Sequence, residues 1–290
     1  MSLTQTSPAR RPHPPRPVAI LWHAAAILVA FLFLAPILWT ILAAFKSKSE
    51  ASEPPIPPWP TDGISFENFV TLENFGSGIL HHAVNSLIVS LATAALTVIV
   101  SVLAGYGFSR YRFPLKGFFF VLVLATMMVP FQSILTPLFL ILAQLKLQNT
   151  LTGLVLIYVT LQLPFSVFMM RNAFDAVPPE ISEAARIDGV TGLRLLIHVL
   201  TPLVMPGIVS VGLIAFLNAW NEFLAALVFL TSQENYTLPV LLTAVRSGHF
   251  GSIDWGAVQA GVTVMMIPCL ILFLILQRYY IRGLTAGAVK

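Results

Sequence analysis

Charge is scarce in this sequence. Only 10% of its 290 residues are Asp, Glu, Lys or Arg, against about 25% in an average soluble chain. A water-facing globule so poor in charge could not cover its surface, so lipid has to be part of its solvent. Cysteine is nearly absent: the single Cys269 excludes a disulfide within the chain and any cysteine-cluster metal site. No Gly-rich loop followed by Lys-Ser/Thr occurs, which excludes a P-loop ATPase, and there is no His-Glu-x-x-His and no nucleophile elbow. A membrane-embedded enzyme is the last-ranked reading, because no cluster of His, Asp and Glu falls within the apolar segments, and no metal or cofactor of the chain's own is expected. A net charge of +4 and a pI near 9.4 would suggest nucleic acid in a soluble protein. Here the placement of the charges matters more than their sum, and no nucleic-acid partner is expected.

Apolar residues fill the space that charge leaves. They make up 57% of the chain, with a mean hydropathy of +0.85. Residues 1–17 are polar, rich in Pro and Arg, and read as a disordered tail. Six apolar segments follow at about 18–42, 83–108, 117–143, 151–170, 205–230 and 257–279. Each is near or beyond the ~20 residues that span a bilayer, so residues 18–290 read as one all-α membrane domain. The first run is longer than a signal-peptide core and closes on no small-x-small site, so it reads as a retained span. Pro36, Pro130, Pro137, Pro164, Pro206 and Pro268 fall within the spans. Each would cost about 3 kcal/mol in a soluble helix, but membrane helices tolerate them because neighbours satisfy the freed carbonyls. They are either ordinary kinks or hinges for a moving gate.

Basic residues set the orientation. With the amino terminus inside, the inner segments hold Arg10, Arg11, Arg16, Arg110, Arg112, Lys116, Arg171, Arg186, Arg194, Arg278, Arg282 and Lys290, twelve of the sixteen. Only Lys46, Lys48, Lys146 and Arg246 fall outside, and both termini lie in the cytoplasm. Two outer segments are long. Residues 46–82 are rich in Pro and acidic residues, and residues 231–256 carry Tyr236, His249, Phe250 and Trp255. They read either as connecting loops with interfacial aromatics or as a docking surface. His81-His82, at a span end, reads as a headgroup-level polar pair, and His198 as an interfacial or loop histidine.

The most polar internal stretch is residues 171–200, between the fourth and fifth spans. Pro178-Pro179 stops one helix and suits the first turn of another, and Glu180 and Glu183 sit where a helix dipole favours negative charge. Ile181, Ala184, Ala185 and Asp188 repeat at helical spacing on one side, and Gly189 ends the helix as a left-handed cap would. A second amphipathic stretch, 193–200, leads to Pro202. The pattern predicts a short helix lying along the inner membrane face, either packed on headgroups or gripped by a partner.

Glu183-Ala184-Ala185-x-x-x-Gly189, followed by Val199-Leu200-Thr201-Pro202, resembles the Glu-Ala-Ala loop of ABC importer permeases. The family's closing Ile and Leu are here Val199 and Thr201, both still compact. Asp188-Gly189 is similar to the carbohydrate, maltose-type branch. Asn85-Ser86, the run Ala219–Phe223 and a tail from Arg282 to Lys290 agree with it. The resemblance covers residues 69–290 and implies a type I permease fold of six transmembrane helices, with its core at 69–280 and a coupling loop at 171–200. It implies that Glu183 makes a polar contact with the cleft of a separate ATPase, that Ala184 and Ala185 permit close approach, that Gly189 forms the turn and that Asp188 braces it. The implied partners are a companion permease in a heterodimer, two ATPase subunits that bind the ATP and Mg, a solute-binding protein and the lipid of a bacterial or archaeal cytoplasmic membrane. The implied cargo is a sugar, an oligosaccharide or a related polyol such as a glycerol-phosphate compound.

Glu222 stands apart as a carboxylate inside an apolar segment, where insertion costs at least ~2.5 kcal/mol. From a span midpoint near Leu217 it would lie ~7.5 Å outward. With Asn218 and Asn221 it either lines a polar pathway or touches the companion subunit. The competing function is a self-contained secondary transporter that uses Glu222 as proton carrier, against which stand the scarcity of intramembrane charge and the lack of an internal repeat.

Overall fold

The structure, a computed structural model, describes residues 16–52, 56–247 and 253–288. Its helices run α1 (Arg16–Ala44), α2 (Lys48–Ser52), α3 (Glu67–Glu73), α4 (Ile79–Arg110), α5 (Lys116–Ala125), α6 (Phe131–Gln144), α7 (Leu151–Asp175), α8 (Pro179–Ile187), α9 (Gly192–Arg194), α10 (Thr201–Leu203), α11 (Met205–Asn221), α12 (Leu224–Phe229), α13 (Leu238–Ser247) and α14 (Trp255–Ala288). No strand occurs among the described residues. The expected disordered tail lies outside them, except that Arg16 and Pro17 already open α1.

Four helices, α1, α4, α7 and α14, are long and apolar enough to cross a membrane unbroken. Two further crossings are bent pairs. Lys116–Met128 meets Phe131–Gln144 at 102°, and Gly192–Leu203 meets Met205–Asn221 at 83°. Counting each bent pair as one span gives six crossings, and the expected third and fifth spans are not single rods. At the first bend Val129 precedes Pro130, whose ring disfavours the α region for its neighbour; Val129 sits extended at ψ 118°, and a new helix starts from Pro130. At the second, Val204 drops out of helical geometry and Pro206 occupies the first turn of α11, where its missing N–H costs nothing. The expected fifth span also stops early: α11 ends at Asn221, Glu222 is extended at ψ 131°, and α12 begins at Leu224.

The core is α4 laid along α7, with α11 across both. The α4 face buried there is Ser86, Ser90, Thr93, Thr97, Ser101 and Gly105, a ladder of small residues three or four apart. In lipid there is no hydrophobic drive between helices, so small side chains that let backbones approach are what permit dispersion contacts. At Gly105 the approach is limiting: a Cβ there would lie 2.6 Å from Met170 Cβ and 2.9 Å from Arg171 N. By contrast α1 has none of its apolar window buried by this chain, so lipid or another subunit must cover it.

At the far end of the bundle from α8, the described parts of the two long segments are held by helices and side-chain bonds. Residues 46–82 hold α2 and α3, and the buried Asn68 donates to the Ala44 and Lys46 carbonyls (3.0 and 2.8 Å), capping the end of α1. Thr61 donates its hydroxyl and its N–H to Glu50 (2.5 and 2.7 Å), and these bonds hold that carboxyl below its ordinary range. Residues 231–256 contain α13, whose Leu238, Leu241 and Val245 are buried in one cluster with Phe216, Trp220 and Ala257.

Backbone groups of 229–238 are gripped from two sides. Asn149, in a left-handed conformation (φ 52°), accepts from Thr231 N and Ser232 N (2.9 and 3.0 Å), while its N–H reaches Phe229 O. From α4, Asn85 donates to Glu234 O and Tyr236 O, and Ser86 accepts from Leu238 N. His81 and His82 bond Glu234 O and Tyr236 O, and His82 is fully buried. The expectation of a headgroup-level histidine pair is thereby corrected for His82, which is buried, while His81 is exposed at the span end; both bond the segment 234–236.

Candidate functional site

Two places carry the residues singled out from sequence. The first is α8. Pro178 is extended (ψ 135°) and Pro179 opens the helix with Glu180 in its first turn and Arg186 in its last, each charge matched to the dipole. The helix ends in a Schellman motif. Val190 N bonds Ala185 O (2.9 Å), Gly189 N bonds Arg186 O (3.0 Å), and Gly189 has φ +80°. The accompanying apolar contact is present, since Val190 packs on the cluster that contains Ala185.

The faces of α8 differ from the expected ones in a useful way. Ser182 and Ala185 point inward and are buried, whereas Ile181, Glu183, Ala184, Ile187 and Asp188 are exposed. The alanine pair is therefore split, with Ala185 in the chain's own core and Ala184 on the open face. Ile187 is 87% exposed, an unfavourable place for an isoleucine in water, so this face has the composition of a contact surface.

What lies beneath α8 couples it to the spans. Ala185 shares a cluster with Tyr106 of α4, Met170 and Phe174 of α7, Leu195, Leu196 and Leu200 of the following π-helical turn, and Val211 of α11. Arg110, the last residue of α4, donates through Nη2 to Phe174 O and Val177 O (2.9 and 2.6 Å), holding the carbonyls where α7 ends. Ser109 donates to Asp175 (2.6 Å), Arg171 pairs with Asp175 (3.4 Å), and the Arg171 guanidinium stands 4.0 Å over the Phe120 ring. The helix is therefore seated on α4, α7 and α11 together. The charges of Arg110 and Arg171 indicated orientation in the sequence; their bracing of α7 became visible only with the fold.

The second place is the break after α11. Glu222 accepts from Tyr158 Oη (2.6 Å), from Ala225 N through both oxygens (2.9 and 3.1 Å) and from Ala226 N (3.2 Å). Its carboxylate caps α12 and ties α11 to α7 within one chain. Asn221 turns back to Leu217 O (2.8 Å) and, with Ile37, Met265, Cys269 and Leu270, lines an apolar cavity of about 400 Å³ between α1, α11 and α14. Asn218 faces elsewhere and donates to Gln162 of α7 (2.9 Å). The three residues grouped by sequence thus have three different surroundings. Tyr158 and Gln162 went unremarked, although two polar side chains four apart on an apolar span were the signal for them. His198 lies in the π-helical turn Leu195–Leu200 rather than in a loop, is exposed, and bonds Arg194 O. Among the described residues no group of His, Cys, Asp and Glu is placed to hold a metal ion.

Comparison with known proteins gives concordant results. Residues 97–286 match the family described as binding-protein-dependent transport system inner membrane component. The chain is 35% identical to the sulfoquinovosyl glycerol transport system permease protein of Agrobacterium fabrum, over 92% of each chain. It is also 35% identical to the diacetylchitobiose uptake system permease protein DasC of Streptomyces coelicolor, covering 93% of this chain and 96% of that one. With the arabinooligosaccharides transport system permease protein of Halalkalibacterium halodurans it shares 33% identity, over 90% and 93%. A crystal structure of a bacterial ABC transporter involved in the import of the acidic polysaccharide alginate contains a chain that superposes with a TM-score of 0.79 at 23% identity, covering 93% of this chain and all of that one. At that identity the likeness speaks for the fold, a type I permease.

Proposed function

The chain belongs to the family of binding-protein-dependent transport system inner membrane components, the permease subunits of ABC importers, and from that premise we propose that α8 is the handle by which a separate ATPase drives it. The carrying observation is the capped α8 itself, rooted in a cluster shared by α4, α7 and α11 and exposing Ile181, Glu183, Ala184 and Ile187. Glu183 makes the polar contact in the ATPase cleft, Ala184 sets the approach distance, and Ala185 and Gly189 keep the helix in its seat. Asp188 braces the turn. Closure of two ATPase subunits on ATP and Mg draws the α8 ends of the spans together as a body, and the pathway passes from inward-open to outward-open in a two-state rotation. This polypeptide hydrolyses nothing and holds no cofactor.

A companion permease supplies the other half of the pathway and covers α1, and a solute-binding protein delivers cargo at the end latched by Asn85, Ser86 and Asn149. The excess of basic residues on the α8 side supports a reading with that side, and both termini, in the cytoplasm of a bacterial or archaeal cell. The names of the relatives support a glycoside or oligosaccharide as cargo. The proton-carrier alternative loses its chemistry, because the Glu222 carboxylate is engaged by Tyr158 and by two backbone N–H groups.

Purification of the tagged chain from its native membrane tests this reading. ATPase subunits should copurify, and uptake should be blocked by vanadate yet resist a protonophore. Uptake by the chain alone, driven by a proton gradient, refutes it.

A further inference from the structure

The pair Asn218 and Gln162 has an unusual position. Gln162 lies about 16 Å along α7 from Leu151 and about 20 Å from Asp175, at ~1.5 Å per residue, which is mid-depth in an apolar layer of ~30 Å. Asn218 of α11 reaches it across the helix contact, Nδ2 to Oε1 at 2.9 Å. That single bond leaves Gln162 Nε2 and Asn218 Oδ1 without a partner among the described residues. Asn218 is exposed and Gln162 half-buried. Amides left open at mid-depth cannot face acyl chains without loss, so they face water or protein.

The neighbours narrow what such a wall can recognise. Glu222, one turn beyond Asn218, is committed to Tyr158, Ala225 and Ala226, and Asn221 is turned toward α1 and α14. Away from the helix ends, the described faces of α7 and α11 carry no other ionisable side chain. The open groups are then one amide donor and one amide acceptor, fixed relative to each other and without charge. Adjacent hydroxyls of a sugar can accept from Gln162 Nε2 and donate to Asn218 Oδ1, whereas an anionic solute finds no cation here.

We propose that Gln162 and Asn218 form a water-facing contact of the translocation pathway that favours neutral polyhydroxylated solutes over acidic ones. The inference rests on the reading of this chain as half of an importer pathway. Because Cys269 is the one native thiol, a Cys269→Ser background permits a direct test in the purified, reconstituted complex. Gln162→Cys and Asn218→Cys are compared with Phe273→Cys on the outer face of α14, itself 59% exposed. The probes are an anionic sulfonate thiosulfonate and a cationic trimethylammonium thiosulfonate, with rates normalised to a free thiol.

Both pathway cysteines should react at least tenfold faster than Phe273→Cys, the two probes should agree within about threefold, and vanadate trapping with ATP should change the rates. Rates no higher than at Phe273→Cys show a dry subunit contact and overturn the proposal. A large preference for either probe overturns the neutral-wall part of it. If labelling fails in a complex that hydrolyses ATP under solute control, this inference falls and the importer reading stands. If no ATPase copurifies, both fall.

Discussion

Replacing Gly189 with alanine tests the α8 cap apart from its surroundings. The residue has φ +80°, and a Cβ built there meets no atom within 4 Å. The cost is then purely conformational, about 1–2 kcal/mol for holding an L-residue in the left-handed region, or a 5- to 30-fold loss in the ratio of capped to uncapped helix. Asparagine tolerates that region better than alanine, and valine worse. The series Gly189→Asn, Gly189→Ala, Gly189→Val should therefore lower the solute moved per ATP hydrolysed in that order. Insertion and ATPase copurification should persist. Gly107 on α4 is the control: it is helical, without positive φ, and also has open space around it. Gly107→Ala should leave coupling intact and stabilise by about 0.5–1 kcal/mol. Wild-type coupling in Gly189→Val, or an equal loss in Gly107→Ala, would refute the reasoning.

Gly105→Ala faces Met170 Cβ at 2.6 Å, so α4 and α7 must separate; overpacking of this kind costs about 1–3 kcal/mol and should lower the unfolding temperature in detergent, whereas no change would mean the helices are less tightly apposed. Glu222→Ala leaves the buried Tyr158 hydroxyl and two N–H groups unpaired, a loss of roughly 1.5–3 kcal/mol. Tyr158→Phe should cost less and the double variant less than the sum, while Glu222→Gln should keep ATP-driven, protonophore-resistant uptake. Additivity in the thermal-shift cycle would argue against the bond. Asn149→Ala removes the acceptor for Thr231 N and Ser232 N and should expose 231–236 to limited proteolysis, an effect that unchanged cleavage would disprove.

Hydropathy carried the six crossings because each apolar run needs lipid whatever its neighbours are. It could not show which runs bend. Six prolines look alike in a row of letters, yet Pro36, Pro137, Pro164 and Pro268 stay inside helices, while Pro130 and Pro206 start new ones. The difference lies in whether neighbouring helices satisfy the freed carbonyls, a tertiary matter. The α8 helix was legible because its start and stop signals are local: two prolines in front, a glycine behind. Its burial was not, since a 3.6-residue period separates faces without saying which one the chain itself covers, and so Ala184 and Ala185 went to opposite sides. Glu222 misled for the same reason. Its partner Tyr158 is 64 residues away, and a carboxylate read as lining a pathway or touching the companion subunit is engaged within the chain.

The handle role of α8 is tested most directly by a crosslink. A photoreactive amino acid in place of Ile187, 87% exposed, is irradiated in the native membrane, with Phe174, fully buried beneath α8, as the control position. Position 187 should yield an adduct of this chain with an ATPase subunit, and position 174 should not. Adducts from 187 with lipid alone would contradict the account.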